Sequence, residues 1–90
     1  MLTIRYQSRF KKDYKLAVKR RLELDRFADV VEQLKNQEPL PDACRDHSLV
    51  GDYSGCRECH ITPDWLLVYD IDEDNDELIL VRMGTHADLF

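Results

Sequence analysis

Glu38-Pro39-Leu40-Pro41 divides the chain into two stretches of different periodicity, and that division decides the fold. Proline lacks an amide donor and restricts its predecessor, so helical structure must stop here. Upstream, Phe27, Val30, Val31 and Leu34 recur at i, i+3, i+4 and i+7, the buried stripe of a helix reaching Asn36. Asp25 is its candidate cap. Phe10, Tyr14, Ala17 and Val18 mark a second stripe, on a helix capped by Ser8 and running to about Arg21. Leu22-Glu23-Leu24 joins the two into an antiparallel hairpin. Before them, Leu2-Thr3-Ile4-Arg5-Tyr6 alternates apolar and polar, as a half-buried strand does.

Beyond Pro41 the period becomes that of strands. His47–Val50, Cys56–Ile61, Trp65–Tyr69 and Glu77–Met83 are the expected strands. Thr62-Pro63-Asp64 supplies one tight turn and Asp72-Glu73-Asp74-Asn75-Asp76 another. Gly84 ends the last strand, and Thr85–Phe90 can form one helical turn. The order predicts an α+β fold: an N-terminal strand and a helical hairpin packed on one face of a mainly antiparallel sheet. The other face is left open and can host a site.

Ninety residues, 43% of them hydrophobic, suit a single domain spanning 1–90. No run approaches the roughly 18 apolar residues of a membrane span, so no membrane partner is expected. The first residues carry no export signal, which predicts a cytoplasmic protein. The net charge of −5 argues against a nucleic-acid partner, but its distribution argues the other way. Residues 1–36 hold ten Lys or Arg against five Asp or Glu, and residues 37–90 hold three against thirteen. Such asymmetry suits either a charged partner on one face or a solvated helix surface. Lys11, Lys15 and Lys19, four apart, form a solvent-facing stripe off the apolar face. Cys44, Cys56 and Cys59 read as free thiols. Cys56 and Cys59 have zinc-like spacing, yet on a strand they point to opposite faces and cannot share an ion.

Chemistry-bearing residues gather in the second half. His47, His60 and His86 each lie beside or at the end of an expected strand, and histidine carries protons near neutral pH. Glu58 and His60 share one strand face, and Asp64 follows the turn that can return it toward that edge. Thr85 and Asp88 have capping-box spacing, which would set His86 at a helix start. The alternative for each histidine is a surface or hydrogen-bonded residue without chemistry. A three-histidine metal site is a rival, but the spacings match no common local pattern, so neither metal nor cofactor is expected. The acidic turn fails as a calcium loop, because Asn75 and Val81 stand where glycine and glutamate are needed. Arg82, at the end of the last strand, suits either a phosphate or an ion pair with a nearby carboxylate.

Three ordered motifs carry a resemblance. Asp46-His47-Ser48-Leu49-Val50-Gly51, then Arg57-Glu58-Cys59-His60-Ile61-Thr62-Pro63-Asp64, then Gly84-Thr85-His86-Ala87-Asp88-Leu89-Phe90 resemble the YafQ toxin pattern of the RelE/ParE superfamily. The resemblance covers nearly the whole chain, including Lys12-Asp13 and the Glu38–Pro41 stretch. It implies a RelE/ParE-like fold and a type II toxin that enters the ribosomal A site and cuts messenger RNA. A co-encoded, DNA-binding antitoxin would hold it inactive.

The family's active-site positions fall on His47, Glu58, His60, Asp64, His86 and Phe90, with Arg82 in the place of a basic residue that contacts RNA phosphate. The implied chemistry is metal-free attack by a 2′-hydroxyl, leaving a cyclic phosphate. His86 is expected as general acid and His47 as general base, two labels that could be exchanged. Asp64 would orient a histidine, Arg82 and His60 would hold the phosphate, and Phe90 would stack on a base. Lys11, Lys15 and Lys19 are expected to contact 16S rRNA. Glu58 stands where aspartate is familiar, and the acidic net charge is unusual for a ribosome-binding toxin. Two rivals on the same fold are a ParE-like toxin that binds DNA gyrase without catalysis and an inactive antitoxin-binding relative. The histidine and carboxylate set argues against the first.

Overall fold

The computed structural model describes residues 1–90. Strand β1 (Thr3–Tyr6) leads into helices α1 (Ser8–Lys19) and α2 (Leu24–Lys35). Strands β2 (His47–Ser48), β3 (Arg57–His60), β4 (Leu66–Asp72) and β5 (Glu77–Gly84) follow, and α3 (His86–Leu89) closes the chain. The sheet order is β1-β5-β4-β3-β2, with β1 parallel to β5 and every other pair antiparallel. This is the α+β arrangement expected, with one addition: β1 pairs with the last strand.

Leu67, Tyr69, Leu78, Leu80 and Met83 of the sheet pack with Phe10, Ala17, Val30, Val31 and Leu34 of the hairpin in the main core. Phe27 of α2 meets the rings of Phe10 and Tyr14 at 6.0 and 5.6 Å between centroids, which locks the two helices together. Leu67 is fully buried on a central strand, so Leu67→Ala would cost about 2–5 kcal/mol. Leu66, Val68 and Leu89 form a smaller cluster with Leu49, Tyr53, Cys56 and Val81. Cys59 lies in the main core and Cys56 in this second cluster, so the two thiols do separate. Burial raises the Cys59 thiol pKa well above the ordinary range.

Several local expectations are corrected. Ser8 does not cap α1; it is the first helical residue, after an extended Gln7 whose side chain makes no cap bond. Asp25 likewise lies inside the first turn of α2, after an extended Glu23. In both places the backbone turns one or two residues earlier than the polar side chain suggested. Val18 is exposed, because α1 buries Phe10, Ala17 and, between them, much of Asp13. Strand β2 is only two residues long, and Gly51 then enters a 3₁₀ turn at φ 75°. Strand β4 starts at Leu66 and runs to Asp72, so Trp65 belongs to the preceding turn.

Candidate active site

Strand register sets the site. His47 pairs with Glu58, Glu58 with Val68, and Val68 with Arg82. Two rows along, His60 pairs with Leu66, and Leu66 with Gly84. Residues sharing a row face the same way, so the alternation that buries Cys59, Leu67 and Met83 turns Glu58 and His60 to the opposite face. Tyr69 pairs with Leu80 while Val68 pairs with Arg82, so Val81 is an extra residue on β5. This bulge shifts the phase of the strand just before Arg82.

His47 is held by its neighbours on both sides. Arg45 adopts a left-handed backbone conformation (φ 48°, ψ 47°), and its carbonyl oxygen lies 2.6 Å from His47 Nδ1. A carbonyl only accepts, so Nδ1 carries the proton and Nε2 of the neutral ring is a free base. Nε2 lies 3.6 Å from Glu58 Oε1, so the carboxylate stands ready to stabilise an imidazolium. Asp46 accepts from the Tyr69 hydroxyl (2.6 Å) and Arg57 Nε (3.1 Å), which anchors the segment from below. Desolvation, and then the bond to Asp46, raises the pKa of the Tyr69 hydroxyl, which therefore remains a donor.

His86 opens α3 behind a complete capping box. The Thr85 hydroxyl accepts from the Asp88 amide (3.3 Å), and Asp88 Oδ2 accepts from the Thr85 amide (2.9 Å). Arg20, just past α1, donates to the same Oδ2 at 2.9 Å. The Thr85 backbone bond is the main reason the Asp88 carboxyl sits below its usual range, with Arg20 contributing. Gly84 is required by this packing: a β-carbon there would lie 2.9 Å from Asp88 Cβ.

Glu58, His60 and His86 converge, with one potential ligand atom from each within 4.8 Å of the others. Phe90, 62% exposed, has its ring 6.2 Å from His86 and edge-on to Tyr53 at 5.7 Å. The structure thus brings together His47, Glu58, His60, His86 and Phe90, all singled out from sequence. Arg82 shares the row of Glu58 and His47.

Asp64 is not drawn in as expected. It is exposed, makes no hydrogen bond or ion pair with any histidine, and lines a shallow groove with Arg21, Arg26 and Trp65. The turn carries Asp64 past the strand edge toward the link between α1 and α2. The part of histidine orienter falls instead to the Arg45 carbonyl, a backbone atom that no side-chain motif reveals. Arg82, left open between phosphate and ion pair, does form the ion pair, with Asp13 of α1. Its bidentate bond raises the guanidinium pKa further. Lys11, Lys15 and Lys19 are exposed on α1 as expected, and the first two flank an open groove of about 400 Å³ lined by Tyr6, Phe10, Tyr14 and Phe27.

The metal question changes once the residues are in place. Two imidazoles and a carboxylate form a donor set that suits a first-row transition ion. Chain spacing hid it, because His86 arrives from the far end of β5. Glu58 itself is 3% exposed, and His47 Nε2 approaches its carboxylate at 3.6 Å.

The chain is thus an α+β domain with three histidines and a carboxylate clustered on the open face of its sheet. Comparison with known proteins narrows the class. The family model described as bacterial toxin of type II toxin-antitoxin system, YafQ, matches residues 2–90. The chain is 39% identical over 89 residues to the mRNA interferase toxin YafQ of Escherichia coli K12, covering 97% of this chain and 94% of that protein. A metal-bound toxin from Helicobacter pylori superposes over 100% of both chains with a TM-score of 0.93 and 43% identity. YafQ in the E. coli DinJ-YafQ complex superposes over 100% of this chain and 99% of that one, with a TM-score of 0.88 and 37% identity. The chain belongs to the YafQ family of type II toxins.

Proposed function

We propose that this toxin is an mRNA interferase, an endoribonuclease that cuts messenger RNA in the ribosomal A site by acid–base chemistry between histidines. The observation that carries the reading is His47, whose ring is fixed by the Arg45 carbonyl with Nε2 free beside Glu58. His47 Nε2 removes the proton of a 2′-hydroxyl, and the oxygen attacks the adjacent phosphorus. The 5′-oxygen leaves with a proton from His86, giving a 2′,3′-cyclic phosphate and a 5′-hydroxyl. Glu58 stabilises the imidazolium on His47, while Arg82 and His60 hold the phosphate. Phe90 stacks on a base, which its exposure beside His86 allows. Asp64 takes no part in orienting the histidines.

The partners follow from the same surface. Lys11, Lys15 and Lys19 contact 16S rRNA, and the basic α1 face offsets the acidic net charge where binding happens. A co-encoded, DNA-binding antitoxin holds the toxin inactive, in keeping with the toxin-antitoxin complex known for the E. coli relative. The site of action is the cytoplasm, where ribosomes are.

A second reading concerns metal. Glu58, His60 and His86 would hold a transition ion, as the Helicobacter pylori relative is described as metal-bound. Such an ion would supply Lewis acidity, and the His86 nitrogen that bound it would no longer carry a proton for the leaving oxygen, so metal binding would oppose acid–base cleavage.

Primer extension on a translated message tests the function. Discrete cuts in ribosome-bound RNA, dependent on His47 and His86, are expected. Translation arrest without cuts would favour a binding toxin of the gyrase-directed kind.

A further inference from the structure

We propose that Asp13 is a positioning residue, which clamps Arg82 so that the guanidinium presents its remaining N–H donors to the RNA phosphate. The inference rests on the reading of Arg82 as a phosphate ligand and adds what aims it. Arg82 Nε donates to Asp13 Oδ2 at 2.6 Å and a terminal nitrogen donates to Oδ1 at 3.1 Å. The other terminal nitrogen donates to the Tyr53 hydroxyl at 3.2 Å. A guanidinium has five N–H donors. Three are engaged here, leaving one on each terminal nitrogen.

Both charged side chains are largely buried, at 12% and 14% exposure, so the pair is held rather than transient. Asp13 Oδ2 also accepts from the Met83 amide at 3.1 Å, which fixes the carboxylate to the backbone next to the arginine it holds. The bulge at Val81 sets Arg82 in the row of Glu58 and His47. Tyr53 extends the brace outward, since its ring packs edge-on against Phe90.

The alternative is that the pair merely ties α1 to β5. Apolar contacts already do that through Phe10 and Ala17, and a buried ion pair is weak evidence of stabilisation. What the fork adds is direction. A flexible arginine loses most of its rotamer freedom when two of its bonds are fixed to one planar group. Arg20, seven residues after Asp13, grips Asp88 of the α3 capping box, so helix α1 and its cap brace both Arg82 and the segment carrying His86.

The test measures cleavage of ribosome-bound message by Asp13→Asn, Asp13→Glu, Arg82→Gln and the Asp13→Asn/Arg82→Gln pair, with melting temperature recorded for each. Asp13→Asn keeps the side-chain shape but cannot accept through both atoms. A misplacement of about 1 Å at a reacting group can cost on the order of 10²-fold. The saturated rate should fall by that order while KM moves only a few fold. Asp13→Glu keeps the charge on a longer arm and should recover part of the rate, at a melting temperature near that of the parent. It serves in place of Asp13→Asn if that variant does not fold. In the Arg82→Gln background, Asp13→Asn should cost nothing further, the coupling expected when one residue acts through the other. Slow Arg82→Gln with wild-type-like Asp13 variants would overturn the inference alone, as would an undiminished Asp13→Asn penalty in the Arg82→Gln background. Wild-type cleavage by Arg82→Gln would overturn the phosphate reading and the inference with it.

Discussion

His60 and His86 stand 5.9 Å apart between ring centroids, inclined at 61°, with the Glu58 carboxylate completing the cluster. Their proximity follows from sheet register, which places Gly84 two strands across from His60, and from the capped turn that starts at His86. On the proposed reading, metal binding at this cluster would compete with catalysis. Cleavage should persist in excess chelator, and added zinc or copper should slow it. Substituting Glu58→Gln should weaken that inhibition, which calorimetry can follow as lost metal affinity. Activity that disappears on chelation and returns with metal would replace the acid–base mechanism.

The basic stripe on α1 makes a separate prediction. Replacing Lys11, Lys15 and Lys19 together by Gln should weaken ribosome binding and lower the slope of log affinity against log salt by about two, from the counterions no longer released. All three are exposed and off the buried face, so the melting temperature should hold. An unchanged slope would move the ribosomal contact elsewhere.

Acid should loosen the catalytic end before the rest of the domain. The Asp88 carboxyl is held below its unfolded value, chiefly by the Thr85 amide. Its contribution is therefore present above the unfolded carboxylate pKa and is lost as pH falls through the folded one. Protection of the Leu89 and Phe90 amides, which donate to Thr85 and His86 carbonyls, should fall relative to the intrinsic exchange rate below about pH 4, near the free aspartate value. Asp88→Asn should exchange fast at neutral pH already. Protection that survives acid in the parent would show the capping charge to be idle.

How far the sequence reveals all this depends on the range of the interaction. Period and proline placement expose the helices, the strands and the face on which Glu58 and His60 lie, because those are local. The α3 cap is legible for the same reason: Thr85 and Asp88 are three apart. Strand pairing is not local, so the parallel union of β1 with β5 leaves no mark in either segment. Asp13 escaped because an aspartate on an amphipathic helix reads as solvent-facing, when its partner Arg82 lies at the other end of the chain. Asp64 misled in the opposite way, by sitting near His60 in sequence but across a turn that carries it off.

The acid and base can be told apart by chemistry. The geometry of His47 suits the base, since its Nδ1 is committed to a carbonyl and Nε2 is free. In the proposed mechanism His86 then serves as the acid. His86→Ala and His47→Ala should each slow cleavage by roughly 10² to 10⁴ fold, the usual contribution of a proton-transfer group. Replacing the bridging 5′-oxygen by sulfur gives a leaving group that departs without a proton. That substrate should restore most of the rate to His86→Ala and little to His47→Ala. Ribosome affinity should change little in either variant, because Lys11, Lys15, Lys19 and Phe90 remain. The reverse pattern of rescue would exchange the two roles, and rescue of neither would remove proton donation from His86 altogether.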